Sequence, residues 1–256
     1  MKTRHLLLYM VTFFLMTPAM AQHNAKIIAH RGYWKCEGSA QNSLTSITKA
    51  AEIKVYGAEF DVQLTADNVL VVYHDSYIDG INIKKSTYAQ IKDKKLPNGE
   101  TLPTLDQFLD HAKKYKRLEL IFELKPHANA ERDREAAQAS VAMVNAKKLR
   151  KRVTYISFSL EAVKELHRLS PKTPVYYLNG ELSPKEIKAL GLAGMDYQYK
   201  VMLKHPEWFK EAKELNLKTN VWTIRDVKTA QKLNDMGVDF MTTDIPVEVM
   251  ETLNKR

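Results

Sequence analysis

From residue 26 onward, short apolar runs alternate with longer stretches in which apolar residues recur at helical spacing. The first pattern predicts buried strands and the second predicts amphipathic helices. Eight strands are predicted, at residues 26–30, 58–63, 118–124, 153–157, 174–178, 195–199, 219–223 and 239–243. Helices are predicted between most of them, at 43–55, 105–114, 131–148, 160–169, 184–190, 206–215 and 226–236.

Eight strands, most of them followed by a helix, predict an α/β fold of the (β/α)₈ TIM-barrel type, with an open doubly wound sheet as the alternative. The connection after the second strand is longer than this pattern needs. It spans about 64–104 and contains an apolar run at 69–73, which predicts a hairpin-like return, and then a lysine-rich segment. We therefore expect one domain over 22–256, with a small insertion at one mouth of the barrel.

The amino-terminal residues have the pattern of a secretory signal. Lys2 and Arg4 precede an apolar run at 6–16, and small residues follow up to Ala21. This pattern predicts cleavage near Ala21. Because the run is too short to span a bilayer, we expect no stable membrane span. The signal pattern itself predicts an exported protein, periplasmic or secreted.

The net charge narrows the classes of partner, and the cysteine content excludes an internal disulfide. The formal net charge of +9 falls to about +7 without the signal, and the basic residues lack the interleaved aromatics of a nucleic-acid surface. No nucleic-acid partner is expected, whereas anionic substrates or membrane surfaces fit this charge. Cys36 is the only cysteine, so an exported chain has no internal disulfide and depends on its core for stability.

Candidate chemistry begins at the end of the first strand, in Ile27-Ile28-Ala29-His30-Arg31-Gly32. A guanidinium can grip a phosphate with two parallel hydrogen bonds, and an imidazole moves protons near neutral pH. His30 and Arg31 therefore suit phosphate chemistry if other strands bring acids and a second base to the same place.

The second and third strands supply such acids. Glu59 and Asp61 lie two apart, so their side chains share a face, and a divalent cation is the usual relief for two close carboxylates. Glu123 could supply a third oxygen ligand. Lys125 could contact a phosphate, although a simple Glu123–Lys125 ion pair is the alternative.

His74 and Phe158 also follow apolar strand-like runs. Two histidines, His30 and His74, can divide the acid and base work across one phosphodiester. Phe158 could form an apolar wall of the site or belong to the core.

The ordered set of motifs resembles the glycerophosphodiester phosphodiesterase family over residues 27 to about 246. The motifs are His30-Arg31-Gly32, Asn42-Ser43, Glu59-Phe60-Asp61-Val62, His74-Asp75, Leu102-Pro103-Thr104-Leu105, Glu123-Leu124-Lys125, Val221-Trp222-Thr223 and Gly237-Val238-Asp239 through Pro246.

This resemblance implies a barrel with an insertion after its second strand and a specific reaction. The reaction is hydrolysis of glycerophosphodiesters, small-molecule substrates, to glycerol 3-phosphate and an alcohol, with a divalent cation such as Ca²⁺ or Mg²⁺ as cofactor. The implied roles are general acid and base for His30 and His74, metal ligands for Glu59, Asp61 and Glu123, phosphate contacts for Arg31 and Lys125, and a pocket wall near the glycerol for Trp222.

Two residues depart from the family pattern. Gln41 stands where most members have glutamate, and Arg225 replaces an asparagine after the Trp-Thr motif. Two other functions stay open at this point: a phosphodiesterase or lyase for a different diester, such as a glycerophosphoinositol or a lipid, with a cyclic product, and a non-catalytic phosphate-binding homologue. The pattern predicts no particular oligomeric state.

Overall fold

The computed structural model describes residues 24–255, so the expected signal at 1–21 lies outside the described residues. The strands are β1 Lys26–Ala29, β2 Gly57–Leu64, β3 Leu70–Val72, β4 Tyr77–Ile78, β5 Ile81–Asn82, β6 Glu119–Leu124, β7 Val153–Ser157, β8 Val175–Tyr177, β9 Gly194–Gln198, β10 Lys218–Ile224 and β11 Phe240–Thr243.

The α-helices are α1 Leu44–Glu52, α2 Tyr88–Ile91, α3 Leu105–Ala112, α4 Ala130–Ala146, α5 Leu160–Leu169, α6 Pro184–Ala189, α7 Tyr199–Lys204, α8 Glu207–Glu214, α9 Val227–Asp235 and α10 Pro246–Asn254. Short 3₁₀ helices lie at Ile83–Lys85 and Arg150–Arg152. None of the helices in residues 24–255 is long and apolar enough to cross a membrane.

Eight parallel strands close into a barrel in the order β1-β2-β6-β7-β8-β9-β10-β11. Strand β1 pairs with both neighbours that closure requires, β2 through Ala29 and Ala58, and β11 through Ala29 and Thr243. An open sheet would leave β1 or β11 at an edge. The prediction of a TIM barrel is therefore confirmed.

Side chains along each barrel strand alternate between two cores. On β2, Ala58, Phe60 and Val62 join the large apolar core, which includes residues of the surrounding helices, whereas Glu59 and Asp61 belong to the opposite face. A smaller cluster is built from the alternate positions of the other strands, namely Ile28, Ile121, Ile156, Tyr176 and Leu178.

Two helices of the barrel were not predicted from the sequence, and neither was the short α2 in the segment after β2. Helix α7 begins at Tyr199, so the predicted strand at 195–199 ends one residue too late. This helix has six residues, too few to show a helical period before the next helix begins. Helix α10 completes the barrel after β11, where no helix was assigned from the sequence.

The segment between β2 and α3 forms a small structure with its own apolar cluster. Strand β3 returns antiparallel along β2, with Val72 opposite Val62, and β4 pairs with β5. The cluster consists of Val71, Ile78, Ile83, Ile91 and Leu102. This packing holds the chain after β3, which carries His74, beside the end of β2.

The aromatic packing around Phe60 allows a test of the core. The Phe60 ring is fully buried, with its centroid 4.6 Å from that of Phe108 and 5.2 Å from that of Phe122. We expect Phe60→Ala to lower the free energy of unfolding by about 3–5 kcal/mol because it leaves a cavity. Urea unfolding measures this change, and Tyr77→Ala, at a side chain that is 58% exposed, is a control expected to stay within about 0.5 kcal/mol. Equal effects of the two substitutions would contradict this packing.

Candidate active site

The inner face of the barrel changes from apolar to polar toward the carboxyl ends of its strands. Ile28 and Ile121 lie in the apolar inner cluster, and two residues later the same face carries His30 and Glu123. A cavity of about 260 Å³ opens at this end. Its lining includes His30, Arg31, Glu59, His74, Glu123, Lys125, Phe158, Trp222 and Arg225.

Three carboxylates lie together at this end of the barrel. Ligand oxygens of Glu59, Asp61 and Glu123 lie within 4.8 Å of one another, and the three residues are 2%, 1% and 8% exposed. Asn42 fixes Asp61, because its amide nitrogen donates to the carboxylate at 2.8 Å and its oxygen accepts from the Asp61 backbone N–H at 3.0 Å. Glu59 Oε1 is buried and has no hydrogen-bond partner among residues 24–255.

Burial and mutual repulsion make full ionisation of this cluster unfavourable. Burial, followed by the charges of Asp61 and Glu123, raises the pKa of Glu59 well above 4.5. Burial and the Asp61 charge raise the pKa of Glu123 to about 7. Burial also acts to raise the pKa of Asp61, but Lys125, His74 and Arg31 outweigh it and the pKa falls. Three buried carboxylates that offer only oxygen ligands fit a hard divalent cation.

Lys125 forms the ion pair that was the alternative to a phosphate contact. Its Nζ lies 2.7 Å from Glu123 Oε1 and 3.2 Å from Asp61 Oδ1. Burial acts to lower the pKa of Lys125, but these carboxylates raise it above 10.5, so the ammonium stays charged. The side chain also lines the cavity, so its charge is present where a phosphate would bind.

Arg31 lies on a sharp turn that the sequence makes possible. Gly32 has φ +73°, and a Cβ there would lie 2.2 Å from Ser46 Oγ, so only glycine fits. The backbone N–H of Arg31 donates to Glu59 Oε2 at 2.8 Å, and its Nη1 donates to Gln41 Oε1 at 2.5 Å. Gln41, which stands where most family members have glutamate, therefore orients the Arg31 guanidinium.

Each cavity histidine is held by a carboxylate. His30 Nδ1 lies 2.7 Å from Asp244 Oδ1, and His74 Nδ1 lies 2.6 Å from Asp75 Oδ1. These contacts occupy Nδ1 of each ring, so Nε2 is the ring nitrogen that remains for proton transfer. Burial, the largest effect, lowers the pKa of His74 below 6.5, which favours the neutral ring near pH 7.

Asp244, which was not selected as a site residue from the sequence, joins His30 to Arg225, the second residue that departs from the family pattern. Its Oδ2 accepts from Arg225 Nε at 2.8 Å. Burial acts to raise the pKa of Asp244, but His30 and Arg225 hold it well below its ordinary range. The position of Asp244 just after the last barrel strand is the sequence signal that could have identified it.

The apolar wall is formed by two aromatic residues. The rings of Phe158 and Trp222 meet edge to face, with centroids 5.5 Å apart, and both residues line the cavity. Trp222 Nε1 donates to the backbone oxygen of Asp196 at 2.9 Å. Asp196 was also missed: it is 1% exposed, it lines the cavity, and burial raises its pKa to about 8. All nine residues selected from the sequence thus line this cavity or, for Asp61, belong to the carboxylate cluster beside it.

A barrel with a carboxylate cluster and paired histidines at the carboxyl ends of its strands is an enzyme scaffold. The family is given by comparison with known proteins. The model of the glycerophosphoryl diester phosphodiesterase family matches residues 30–248. The chain therefore belongs to this family and is a phosphoric diester hydrolase.

Solved and curated relatives agree with this family. A crystal structure of a glycerophosphodiester phosphodiesterase from Parabacteroides distasonis is 57% identical, with a TM-score of 0.91 over 92% of this chain and 99% of that chain. A glycerophosphodiester phosphodiesterase of Caldanaerobacter subterraneus is 26% identical, over 90% of this chain and 98% of that protein. An Oleispira antarctica phosphodiesterase, solved with the product sn-glycerol-3-phosphate, is 25% identical, with a TM-score of 0.77 over 90% of this chain and 96% of that chain.

The raised pKa of Glu123 predicts that cation binding depends on pH. Between 4.5 and about 7 the folded protein binds a proton at Glu123 that the unfolded chain has released, so the metal-free fold loses stability as pH rises through this interval. A cation displaces the proton, so its affinity should rise by up to about tenfold per pH unit over the same interval. Thermal unfolding with Ca²⁺ or Mg²⁺ should show greater stabilisation at about pH 8 than at about pH 5.5.

Glu123→Gln should reduce cation affinity at least about tenfold, because it removes one anionic oxygen ligand. Glu119→Gln, at the opposite end of strand β6, is the matched control and should bind the cation as wild type does. Equal cation stabilisation in Glu123→Gln and wild type would exclude Glu123 as a ligand.

Proposed function

We propose that this protein hydrolyses glycerophosphodiesters to glycerol 3-phosphate and an alcohol, with a bound divalent cation. The observation that carries this proposal is the meeting of three buried carboxylates, two basic groups and two carboxylate-held histidines at one cavity. Each kind of group has a role in phosphodiester hydrolysis: carboxylates hold a cation, basic groups stabilise charge on the phosphate, and histidines transfer protons. The names of the relatives support the same substrate class.

Glu59, Asp61 and Glu123 would hold the cation, and Ca²⁺ or Mg²⁺ suits their oxygen ligands. When bound, such an ion supplies positive charge that stabilises negative charge on phosphoryl oxygens. Asn42 keeps the Asp61 carboxylate in place through its two hydrogen bonds. The Glu59 Oε1 atom, which has no hydrogen-bond partner in the described part of the chain, would be available as one of these ligands.

Arg31 and Lys125 would contact the phosphate from the protein side. The Arg31 guanidinium is positioned by Gln41, and the Lys125 ammonium is fixed between two carboxylates. Charges held in place before the reaction stabilise the growing charge of the transition state without reorganisation. These two residues therefore contribute both substrate affinity and rate.

His30 and His74 would exchange the protons of the reaction. One histidine takes the proton of the attacking hydroxyl, and the other gives a proton to the oxygen of the departing alcohol. Asp244 and Asp75 orient the two rings through Nδ1. If the attacking group is water, the product is the monoester directly, and if it is a neighbouring hydroxyl of the glycerol, a cyclic phosphate forms first.

The aromatic wall of Trp222 and Phe158 would pack against the glycerol carbons. The two rings form a rigid apolar surface at the carboxyl ends of β10 and β7. The phosphodiesterase with bound sn-glycerol-3-phosphate shows that a related barrel accommodates this product.

The proposal includes export of the protein. Its support is the amino-terminal pattern of Lys2, Arg4, the apolar run at 6–16 and Ala21. A periplasmic or secreted location would give the enzyme access to glycerophosphodiesters outside the cytoplasm. Cell fractionation followed by amino-terminal sequencing tests both the location and the cleavage site.

His30→Ala and His74→Ala should each reduce kcat by at least about 10²-fold, because each removes a proton-transfer group. The assay is release of glycerol 3-phosphate from glycerophosphocholine, glycerophosphoethanolamine and glycerophosphoinositol by protein without residues 1–21, with Ca²⁺, Mg²⁺ or chelator. Phosphorus NMR of the products separates a cyclic phosphate from a monoester.

His205→Ala is the matched control, because His205 stacks on Trp208, and neither residue lines the catalytic cavity. The three variants should retain wild-type thermal unfolding. Near-normal turnover in both His30→Ala and His74→Ala would refute the roles given to the pair. If wild type releases no glycerol 3-phosphate from any substrate while it still binds the cation, the substrate class is wrong.

A further inference from the structure

We propose that the amino-terminal end of the barrel, opposite the catalytic cavity, is a docking surface for an anionic lipid bilayer. The observation is a group of exposed cations in the loops that lead into β2, β6, β7 and β8, at 53–56, 113–118, 147–152 and 170–174. We call this group the basic face. Its members are Lys54, Lys114, Lys116, Arg117, Lys148, Arg150, Lys151 and Lys172.

The topology makes the basic face one continuous surface. Strands β2, β6, β7 and β8 are successive neighbours in the sheet, and because they are parallel, the loops before them meet along one half of the amino-terminal rim. The loops before β9, β10 and β11, at 190–193, 215–217 and 236–239, contain no Lys or Arg. Lys218, which begins β10, is paired with Asp239. The unpaired positive charge is therefore gathered on one side of this end.

Acids of the fold do not balance this charge. The loops that carry the basic face contain no Asp or Glu, and none of its members forms an ion pair with a carboxylate in residues 24–255. Two neighbouring lysines differ in this respect. Lys113 lies 3.7 Å from a carboxylate oxygen of Asp110, and Lys147 lies 2.7 Å from carboxylate oxygens of both Asp106 and Asp110. The acids of helix α3 are thus used by lysines outside the basic face.

Helix dipoles explain only part of the basic face. A helix carboxyl terminus attracts Lys and Arg, but this effect falls off beyond the last turn. Helix α3 ends at Ala112 and α4 at Ala146, so the pairs Lys116-Arg117 and Arg150-Lys151 lie too far along the chain to gain from it. Their charges raise the local positive potential without stabilising a helix, which is expected of a surface that meets an anionic partner.

The side chains around the basic face favour a bilayer surface as the partner. Its aromatic neighbours Tyr56 and Tyr115 are half-buried, and the Tyr115 hydroxyl is bonded to Thr48, so no exposed ring is available to stack on a base. The large exposed apolar residues in the described part of the chain, Tyr77 and Val227, lie in other segments. Anionic head groups cover an area and attract Lys and Arg by charge alone. The protein would therefore adsorb to the bilayer surface without inserting into it.

Docking through the basic face would leave the catalytic cavity open to water. Strand β6 begins at Glu119, next to the basic face, and carries Glu123 near its other end, in the cavity. The cavity mouth would thus point away from the bilayer, toward water-soluble glycerophosphodiesters and not toward intact lipids. This consequence rests on the proposed function, whereas the docking itself does not, so the two can be tested separately.

The first test is cosedimentation of protein without residues 1–21 with lipid vesicles, in the absence of substrate. Wild type should bind vesicles of phosphatidylcholine that contain about one third phosphatidylglycerol, and should not bind vesicles of phosphatidylcholine alone. Binding should be present at about 50 mM NaCl and lost at about 0.5 M NaCl, because salt screens exposed charges. No binding to the anionic vesicles, or equal binding to both kinds, would overturn the inference.

The second test removes charge from the basic face by combining Lys116→Gln, Arg117→Gln, Arg150→Gln and Lys151→Gln. Each basic residue near an anionic surface contributes about fivefold in affinity, so we expect binding to the anionic vesicles to weaken at least about tenfold. The variant should fold as wild type does, because these side chains are exposed and have no ion-pair partner in residues 24–255.

The matched control removes the same charge from the other end of the barrel, by Lys85→Gln, Lys92→Gln, Lys185→Gln and Lys228→Gln. These exposed lysines lie in segments that follow the carboxyl ends of strands, and they do not line the catalytic cavity. Vesicle binding should stay within about threefold of wild type, because the charges removed are far from the bilayer. Equal weakening in the two variants would show that only net charge matters and would overturn the docking surface.

Two further outcomes separate this inference from its alternatives. Tighter binding of a DNA duplex than of the anionic vesicles, lost in the basic-face variant, would overturn the bilayer in favour of nucleic acid. Wild type that docks but releases no glycerol 3-phosphate would support the docking surface and refute the proposed reaction. Wild type that hydrolyses glycerophosphodiesters but does not dock would refute the docking surface alone.

Discussion

The structure of this site depends on the repulsion among three buried carboxylates. Glu59, Asp61 and Glu123 come from two adjacent strands, where a spacing of two residues puts the side chains on the inner face. Because each is nearly inaccessible to water, their charges must be balanced by neighbouring groups or removed by protonation. The surrounding residues can be understood as the means by which this barrel balances them.

Barrel closure brings together residues that are far apart in sequence. Asp244 reaches His30 across 214 positions because β11 pairs with β1, and this pairing, added to that of β1 with β2, closes the sheet. The other histidine has a local partner, since Asp75 follows His74 directly and both lie in the segment that follows β3. One half of the proposed acid–base pair is thus supported by global topology and the other by a local loop.

The sequence was sufficient for the barrel and for the seven polar residues selected for the site, because both follow from periodicity and from polar residues at strand ends. Trp222 was selected only through the family resemblance. The alternation of Glu59 with Phe60 predicts that their side chains lie on opposite faces of β2, as the structure has them. It was not sufficient for partners set by tertiary contacts. The bond of Asn42 to Asp61 depends on where the loop before α1 lies, and the burial of Asp196 depends on barrel closure. Arg225 shows the same limit: its pattern allowed either a charge at the mouth or a solvent-facing side chain. The structure combines the two, because the side chain is 66% exposed while its Nε donates to Asp244 and it lines the cavity.

A count of charges explains why the site contains both acids and bases. When ionised, the three carboxylates carry three negative charges, and Lys125 and Arg31 return two positive ones, which leaves one negative charge. A divalent cation would change this to one positive charge, which the single negative charge of a phosphodiester would neutralise. The acids and the bases therefore act together: the carboxylates would hold the cation, and the two bases leave the loaded site with the positive charge that one diester anion matches.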